Sequence, residues 1–181
     1  MTIKTAQDVL DFWFSDATGP NWFAKSDEFD QRVTRDFGDT YEAAHQRELD
    51  GWMDTPEGAL ALVIVLDQFP RNMFRGSGRS FESNDLALEH ARAALDAGYD
   101  RQVDATRRQF LYLPFMHSED LPDQTRSVEL YEALGDAGSL KFAIAHRDIV
   151  ERFGRFPHRN AALDRPSTPD EVEFLKTHGG F

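Results

Sequence analysis

The segment Thr55–Asn72 constrains the fold most, because it contains the longest apolar run in the chain. Residues 59–66 are all aliphatic, with no polar interruption. Thr55 and Pro56 precede the run and are typical of a helix start, since a threonine side chain caps the first turn and proline has the φ angle of the first helical position. A helix that is apolar on every side must be buried. We therefore predict a buried central helix at about residues 56–69.

Two charged residues stand at the end of this predicted helix. Asp67 would lie in its last turn, where the helix dipole makes a carboxylate unfavourable unless a cation is near. Arg71 follows four residues later. We expect the helix to stop near Phe69, because Pro70 disfavours helical geometry in the residue before it. A carboxylate at the negative end of a core helix departs from the usual local preference, and such departures are expected at functional or strained sites.

The rest of the sequence predicts further helices and no strand. Each helix is indicated by a capping residue followed by apolar residues at helical spacing. We expect Pro114 to kink or stop one of them, and Pro157 to end another whose apolar face includes Phe142 and His146. With the central helix, the fold is predicted to be all-α with about eight helices. The predicted starts of the other helices are Thr5, Ser26, Ser83, about residue 103, Ser118 or Asp120, Ser139 and Thr168.

Length and composition predict one domain over residues 1–181. The chain is 40% hydrophobic, enough for one sizeable core. It contains no cysteine, which excludes disulfides, thiolate nucleophiles and cysteine-bound metals. The start lacks the order of a signal peptide, and the longest apolar run is too short to cross a bilayer. We expect a cytoplasmic protein with no membrane partner.

The charge is unevenly distributed along the chain. A net charge of −12 argues against a nucleic-acid partner, which needs a basic surface. The first arginine segment, residues 67–79, nevertheless has three arginines and one aspartate, a charge of +2. The second arginine segment, residues 152–165, has four arginines and one aspartate, a charge of +3. The two segments are therefore candidate sites for an anionic ligand.

Both arginine segments contain Phe-Pro followed by Arg-Asn, in Asp67-Gln-Phe-Pro-Arg-Asn72 and in Arg155-Phe-Pro-His-Arg-Asn160. One interpretation is that each element only ends a helix, with proline stopping it and arginine binding the last carbonyls. The other is that the two segments meet and present guanidinium groups to a carboxylate or phosphate, which the fork of arginine fits. The two interpretations are compatible.

Histidines supply the candidate catalytic groups. His117 and Glu119 are two residues apart, a spacing that suits an acid/base pair or two metal ligands. Alternatively, Ser118 or Asp120 caps the next helix while His117 and Glu119 join a buried network. His146 lies on a predicted apolar face, where it is either a hydrogen-bonded core residue or a ligand. No nucleotide-binding loop, nucleophile elbow or zinc-protease motif is present, and we predict no cofactor and no resident metal.

Several blocks of the sequence resemble the DUF924 family, in the same order. They include Asp11-Phe-Trp-Phe14, Leu66-Asp-Gln-Phe-Pro-Arg-Asn72, Tyr112-Leu-Pro-Phe-Met-His-Ser-Glu-Asp120 and Arg152-Phe-Gly-Arg-Phe-Pro-His-Arg-Asn160. The resemblance implies stacked antiparallel helical hairpins of tetratricopeptide-like type and no established activity. Asp164 stands where the family pattern has glycine, which argues against a left-handed turn there. The positions that match the family's polar blocks are Asp67, Arg71, Asn72, His117, Glu119, His146, Arg155, His158, Arg159 and Asn160.

These observations support three hypotheses about function. The first is a helical binding module whose ligand is an anionic small molecule or a peptide carboxylate, because stacked hairpins usually form a concave groove. In it, His117 and Glu119 join the other polar positions as ligand-binding groups. The second is a hydrolase that uses His117 and Glu119 as an acid/base pair, either without a metal or with one shared by His146 or His158. The third is an assembly partner whose polar cluster is purely structural.

Overall fold

The chain folds entirely into helices, which confirms the all-α prediction. The computed structural model describes residues 2–179, and no strand occurs in that range. The chain divides into two compact units, one formed by Met1–Arg75 and Arg79–Pro114, the other by Gly76–Gly78 and Phe115–Phe181. The prediction of a single domain and that of tetratricopeptide-like stacking stay predictions. No helix of the described part is both long and apolar enough to cross a membrane.

Nine α-helices occur in the described residues, one more than expected. The additional one, α4, follows the central helix directly. In chain order the helices are α1 (Ala6–Trp13), α2 (Asp27–His45), α3 (Pro56–Asp67), α4 (Phe69–Met73), α5 (Asn84–Asp96), α6 (Ala105–His117), α7 (Leu121–Leu134), α8 (Ala137–Phe153) and α9 (Pro169–Leu175). Short 3₁₀ helices lie at Gly19–Asn21, Asp50–Asp54, Gly78–Phe81, Tyr99–Gln102 and Pro157–Arg159.

Helix α3 is the buried centre of the first unit, as predicted. The Thr55 hydroxyl accepts a hydrogen bond from the Gly58 amide at 3.1 Å, and all residues from Gly58 to Asp67 are buried. The helix contacts α1, α2 and α5 as well as the 3₁₀ helix at Asp50–Asp54. Burial on all sides follows directly from its uninterrupted apolar sequence.

Proline acts differently from our expectation at the end of α3. The helix ends at Asp67, but Pro70 then occupies the first turn of α4. Proline suits that position, because its fixed φ angle is helical and the amide it lacks would have no partner there. Pro70 therefore starts a new helix after a one-residue break at Gln68.

The second unit contains α7, α8 and α9, and α7 packs against α8. Asp136 caps α8 through the Gly138 and Ser139 amides, so the helix begins before the predicted Ser139. The predicted stop at Pro157 was wrong, because α8 ends at Phe153 and the next residue, a glycine, is left-handed with φ 69°. The predicted apolar face was also wrong in part. Phe142 is 57% exposed, while the residues buried on α8 are Ala143, His146 and Val150.

Two further expectations concern a helix interior and a helix start. Pro114 lies inside α6, which continues to His117, so the helix does not stop there, and the alternative of a kink stays a prediction. Ser83 precedes α5 but makes no side-chain capping bond, because its hydroxyl donates to the Leu66 carbonyl at 2.6 Å. A buried carbonyl near the end of α3 competes successfully for the serine.

Candidate functional site

The second Phe-Pro element also starts a short helix, but its local structure differs from that of the first. Pro157 is the first residue of a 3₁₀ helix, Pro157–Arg159, whereas Pro70 is the second residue of α4. Phe156, the residue before it, is extended and fully buried. Both elements therefore start short helices, and in the second unit this places His158 and Arg159 next to each other at a helical turn.

Glu119 holds the second arginine segment in place. Its carboxylate accepts hydrogen bonds from the Phe156 amide at 2.7 Å and from Arg165 at 2.6 and 3.0 Å. Burial raises the pKa of Glu119, but the Arg165 and Phe156 hydrogen bonds outweigh it, so the pKa lies below its ordinary value. A carboxylate that is ionised and shared in this way is a poor proton acceptor near neutral pH. The geometry supports a structural role for this residue.

A second carboxylate, Glu171, ties the same segment to α9. It receives two hydrogen bonds from Arg155, at 2.6 and 2.8 Å, and one from Asn160 at 3.3 Å. The Arg155 hydrogen bond, together with the Thr168 amide, lowers the pKa of Glu171 to about 2. Arg155 also donates to the Pro166 carbonyl. Its guanidinium is therefore engaged in holding the loop before α9.

Sequence reasoning predicted the helix start at Thr168 and missed the pairing of Glu171 with Arg155. Thr168 and Glu171 form the capping box that their spacing predicts. Arg165 was counted in the charge of the segment but not assigned to the site, although it bridges Asn160 and Glu119. Nothing in the local sequence marks these partners, since Glu119 and Arg165 are 46 residues apart.

The turn before Arg165 corrects another expectation. Asp164 is left-handed, with φ 56°, although it is not glycine. Aspartate is among the residues that tolerate this conformation at modest cost. The left-handed turn is therefore retained, and the Arg165 amide donates to the Asn160 carbonyl at 2.8 Å across it.

The structure brings three predicted histidines and one arginine together around Phe156. The Phe156 ring lies 5.5 Å from the His146 ring and 5.7 Å from the His158 ring, centroid to centroid. The His117 and His146 rings are 6.4 Å apart. The guanidinium of Arg159 lies 4.4 Å from the Phe156 centroid and donates to the His117 carbonyl at 2.9 Å. We call His117, His146, His158 and Arg159 the histidine–arginine cluster.

His146 is the neutral member of the cluster. Its Nδ1 lies 2.8 Å from the Phe142 carbonyl oxygen, which can only accept, so Nδ1 carries the hydrogen and Nε2 has the lone pair. Burial lowers the pKa of His146 to about 3, and the charges of His117, Arg159 and His158 act in the same direction. The cluster therefore combines the permanent charge of Arg159 with imidazoles, of which His146 is neutral, in a strongly acidic protein.

The predicted residues of the first arginine segment lie in the first unit. Asp67 is fully buried and forms an ion pair with Arg71 at 3.3 Å, as its place at the helix end predicts. Arg71 also donates to the Ser80 carbonyl and to the Asn84 side chain. Burial lowers the pKa of Arg71, and Asp67 partly opposes this.

The other polar residues of this segment bind helix α2. Asn72 and Arg75 both donate to Asp30, at 2.8 Å and at 2.7 and 2.9 Å. Burial raises the pKa of Asp30, but the hydrogen bonds from Arg75 and Asn72 lower it below its ordinary value. These contacts fasten α4 to α2. The predicted meeting of the two arginine segments stays a prediction.

The described residues contain no group of three or more histidine or carboxylate side chains arranged to hold a metal ion. The class that fold and site define is thus an all-α protein with a histidine–arginine cluster. The chain belongs to the DUF924 family, whose model, "Bacterial protein of unknown function (DUF924)", matches residues 9–179.

One solved structure resembles the chain over nearly its whole length. It is described as "Structure of Protein of Unknown Function ATU0120 from Agrobacterium tumefaciens". The two chains are 45% identical with a TM-score of 0.91, and the match covers 96% of this chain and 97% of the other. No curated protein matches this chain. The fold is therefore shared with a bacterial protein that has no stated activity.

Proposed function

We propose that the protein is a helical binding module whose histidine–arginine cluster recognises an anionic small molecule or a peptide carboxylate. The observation that supports this most is the convergence of three imidazoles and a guanidinium around Phe156 in a chain of net charge −12. An anion at this position is attracted by the guanidinium of Arg159 in partly buried surroundings, where electrostatic interactions are stronger than in water, and it can accept hydrogen bonds from imidazole N–H groups.

The groups that surround the cluster support binding by holding it rigid. Glu119 and Glu171 fix the segment that contains His158 and Arg159 from both sides, through Arg165 and Arg155. His117 and His158 are half-buried, whereas Arg159 is 5% exposed. A ligand would reach the guanidinium past the two histidines, and preorganised donors bind with less loss of entropy.

This arrangement changes the roles expected of the predicted residues. Arg155, Glu119 and Asn160 become supports of the site rather than ligand-binding groups, because their polar atoms bind Glu171 and Arg165. Asp67, Arg71 and Asn72 likewise support the first unit, because Asp67 pairs with Arg71 and Asn72 donates to Asp30. No observation favours the hydrolase hypothesis, since the pKa of Glu119 lies below its ordinary value and Arg165 occupies both carboxylate oxygens.

Titration with inorganic phosphate and with acetate at low ionic strength tests this function. We expect calorimetry to detect binding to the wild type, and Arg159→Gln to weaken it at least tenfold, as loss of a charge-assisted hydrogen bond does. The matched control is Arg152→Gln, which changes an exposed arginine of the same segment that pairs with Asp170. Equal affinities in the two variants would contradict the proposal.

A second measurement covers the case in which Arg159→Gln does not fold. Histidine ring signals of the wild type can be followed by nuclear magnetic resonance as phosphate is added. We expect the signals of His117 and His158 to move, while that of His90, which is buried in the first unit, stays in place. Movement of the His90 signal alone, or of no histidine signal, would overturn the proposal.

A further inference from the structure

The half-buried phenylalanine rings of the described chain share one feature, which is an arginine guanidinium lying over the ring. The distance from the guanidinium carbon to the ring centroid is between 3.9 and 5.9 Å in every case. A cation is attracted to the negative face of an aromatic ring, and arginine is found there more often than lysine. The pairs are Phe12 with Arg32, Phe14 with Arg107, Phe74 with Arg79, Phe81 with Arg71, and both Phe153 and Phe174 with Arg152.

Two phenylalanine rings are exposed instead, Phe23 at 71% and Phe142 at 57%. Within residues 2–179, no arginine lies over either ring. An exposed phenyl ring keeps its apolar surface in water, which is unfavourable. These rings are therefore the two positions where a guanidinium from outside the chain can lie as the chain's own arginines lie over the other rings.

Phe23 is held in its exposed position by an aromatic cluster in the first unit. The Trp22 indole N–H donates to the Trp13 carbonyl at 2.7 Å, which fixes the residue before Phe23. The Phe23 ring stacks on the buried Phe110 ring, with 9° between their planes and 6.4 Å between their centroids. We call Phe14, Trp22, Phe23 and Phe110 the aromatic cluster. The Phe23 ring thus rests on the cluster and presents the rest of its surface to solvent.

The aromatic cluster already binds one guanidinium of this chain. Phe14 lies 5.5 Å from Phe110, and the guanidinium of Arg107 lies 5.2 Å from the Phe14 centroid. Arg107 also pairs with the carboxylate of Asp104 at 3.5 Å. A ring of this cluster together with a nearby carboxylate is therefore a suitable environment for an arginine side chain.

The charges near Phe23 favour a cation at its ring. Residues 16–28 contain three carboxylates and one lysine, all exposed, which give a net charge of −2. Asp27 and Glu28 follow Phe23 by four and five positions, so their Cα atoms lie within about 18 Å of the Phe23 Cα atom. The net charge of −12 also attracts basic partners to the protein as a whole.

The charge near Phe142 has the opposite sign. With histidine counted as neutral, residues 138–146 contain a single charged side chain, that of Lys141, which is exposed and directly precedes Phe142. A lysine beside the ring repels a second cation. Of the two exposed rings, only Phe23 combines an open aromatic face with an acidic surrounding.

We propose that Phe23 is the docking point for an arginine in a basic segment of a partner protein. The guanidinium lies over the Phe23 ring, and further basic residues of the segment lie near Asp27 and Glu28. This surface belongs to the first unit, and the proposal does not depend on anion binding by the histidine–arginine cluster.

Two blocked pentapeptides test the proposal, one alternating glycine with arginine and the other with lysine in place of arginine. They carry the same charge, so a general attraction to an acidic protein acts equally on both. In titrations followed by nuclear magnetic resonance at low ionic strength, we expect the arginine peptide to bind the wild type more tightly, because a planar guanidinium stacks on an aromatic ring. Phe23→Leu should weaken the arginine peptide about two- to fivefold, the size of an exposed cation–π contact.

Two further variants separate the aromatic face from bulk. Phe23→Trp should retain the affinity or raise it, because tryptophan is the best ring for a cation. Phe142→Leu is the matched control and should leave the affinity unchanged. Since Phe23 is 71% exposed, its variants should keep the Tm of the wild type, and a change in binding then reports on the surface itself.

Three results would overturn the proposal. The first is no binding of the arginine peptide, or equal affinity for it in the wild type and in Phe23→Leu. The second is equal affinity of the wild type for the two peptides, which would assign the attraction to charge alone. The third is self-association of the wild type in sedimentation that Phe23→Leu abolishes, which would assign the surface to a second copy of this chain.

Discussion

The two arginine segments share a sequence motif but differ in what surrounds their arginines. In the first, each arginine is paired with a carboxylate of the first unit: Arg71 with Asp67, Arg75 with Asp30, and Arg79 with Glu42 and Glu82. In the second, Arg152, Arg155 and Arg165 are paired with Asp170, Glu171 and Glu119, while Arg159 lies against Phe156 among three histidines.

The difference teaches that a local excess of arginine does not by itself make a binding site. The +2 of the first segment is matched mainly by carboxylates on α2, which fasten α4 to the core. In the second segment, Glu119 and Glu171 bind Arg165 and Arg155, and Arg159 lies against the Phe156 ring together with His146 and His158. The proposed anion site therefore differs from the first segment in the imidazoles that the fold adds to the arginines.

Among the predicted changes, removal of Asp67 should lower the free energy of unfolding most. Asp67→Ala leaves the guanidinium of Arg71, which is 21% exposed, without its ion-pair partner in the core. We expect a loss of about 3–5 kcal/mol in the free energy of unfolding, measured with urea. The matched control in the same segment is Glu42→Ala, whose partner Arg79 is 47% exposed and for which we expect less than about 1 kcal/mol. Equal losses would show that burial does not separate the two pairs.

Removal of Glu119 should lower the stability by an intermediate amount. It should also change the surroundings of the histidine–arginine cluster. Glu119→Ala takes away the partners of Arg165 and of the Phe156 amide, and we expect a loss of about 2 kcal/mol because the pair is only partly buried. The ring signals of His117 and His158 should shift, since Phe156 is released. Glu129→Ala, which breaks an exposed pair with Arg126, is the control. Unchanged histidine signals would mean that Glu119 does not position the cluster.

The smallest expected effect is the contribution of His146 to the pH dependence of stability. Burial lowers the pKa of His146 from its ordinary 6.5 to about 3, so between these pH values the unfolded chain binds a proton that the folded protein does not. Stability is therefore full above pH 6.5 and falls as pH decreases, by about 1 kcal/mol per pH unit.

This dependence can be measured by urea denaturation between pH 6.5 and 5, above the range in which most carboxylates titrate. His146→Asn should reduce the slope relative to the wild type, and the remaining slope includes His90, whose pKa burial also lowers. The same slope in both proteins would contradict a neutral, buried His146.

Much of the fold could be predicted because its signals are local. Thr55 with Pro56, Ser26, Asp120 and the Thr168–Glu171 capping box all start helices where the sequence indicates. The apolar run of α3 required burial whatever its neighbours were. The errors arose where a tertiary contact or a neighbouring residue changed a local preference, as at Ser83, which binds the Leu66 carbonyl instead of capping α5.

The sequence by itself indicated the side chains of the proposed site, since His117, His146, His158 and Arg159 were all identified from it. Only the tertiary structure decided that His146, His158 and Arg159 lie around Phe156 with His117 beside His146, and that Arg155 binds Glu171 and Glu119 binds Arg165. The physical reason is that helix caps and apolar periodicity act over three or four residues, whereas ion pairs and ring contacts join residues such as Glu119 and Arg165, 46 positions apart. Packing decides which carboxylate pairs with which arginine, and no local sequence pattern encodes that choice.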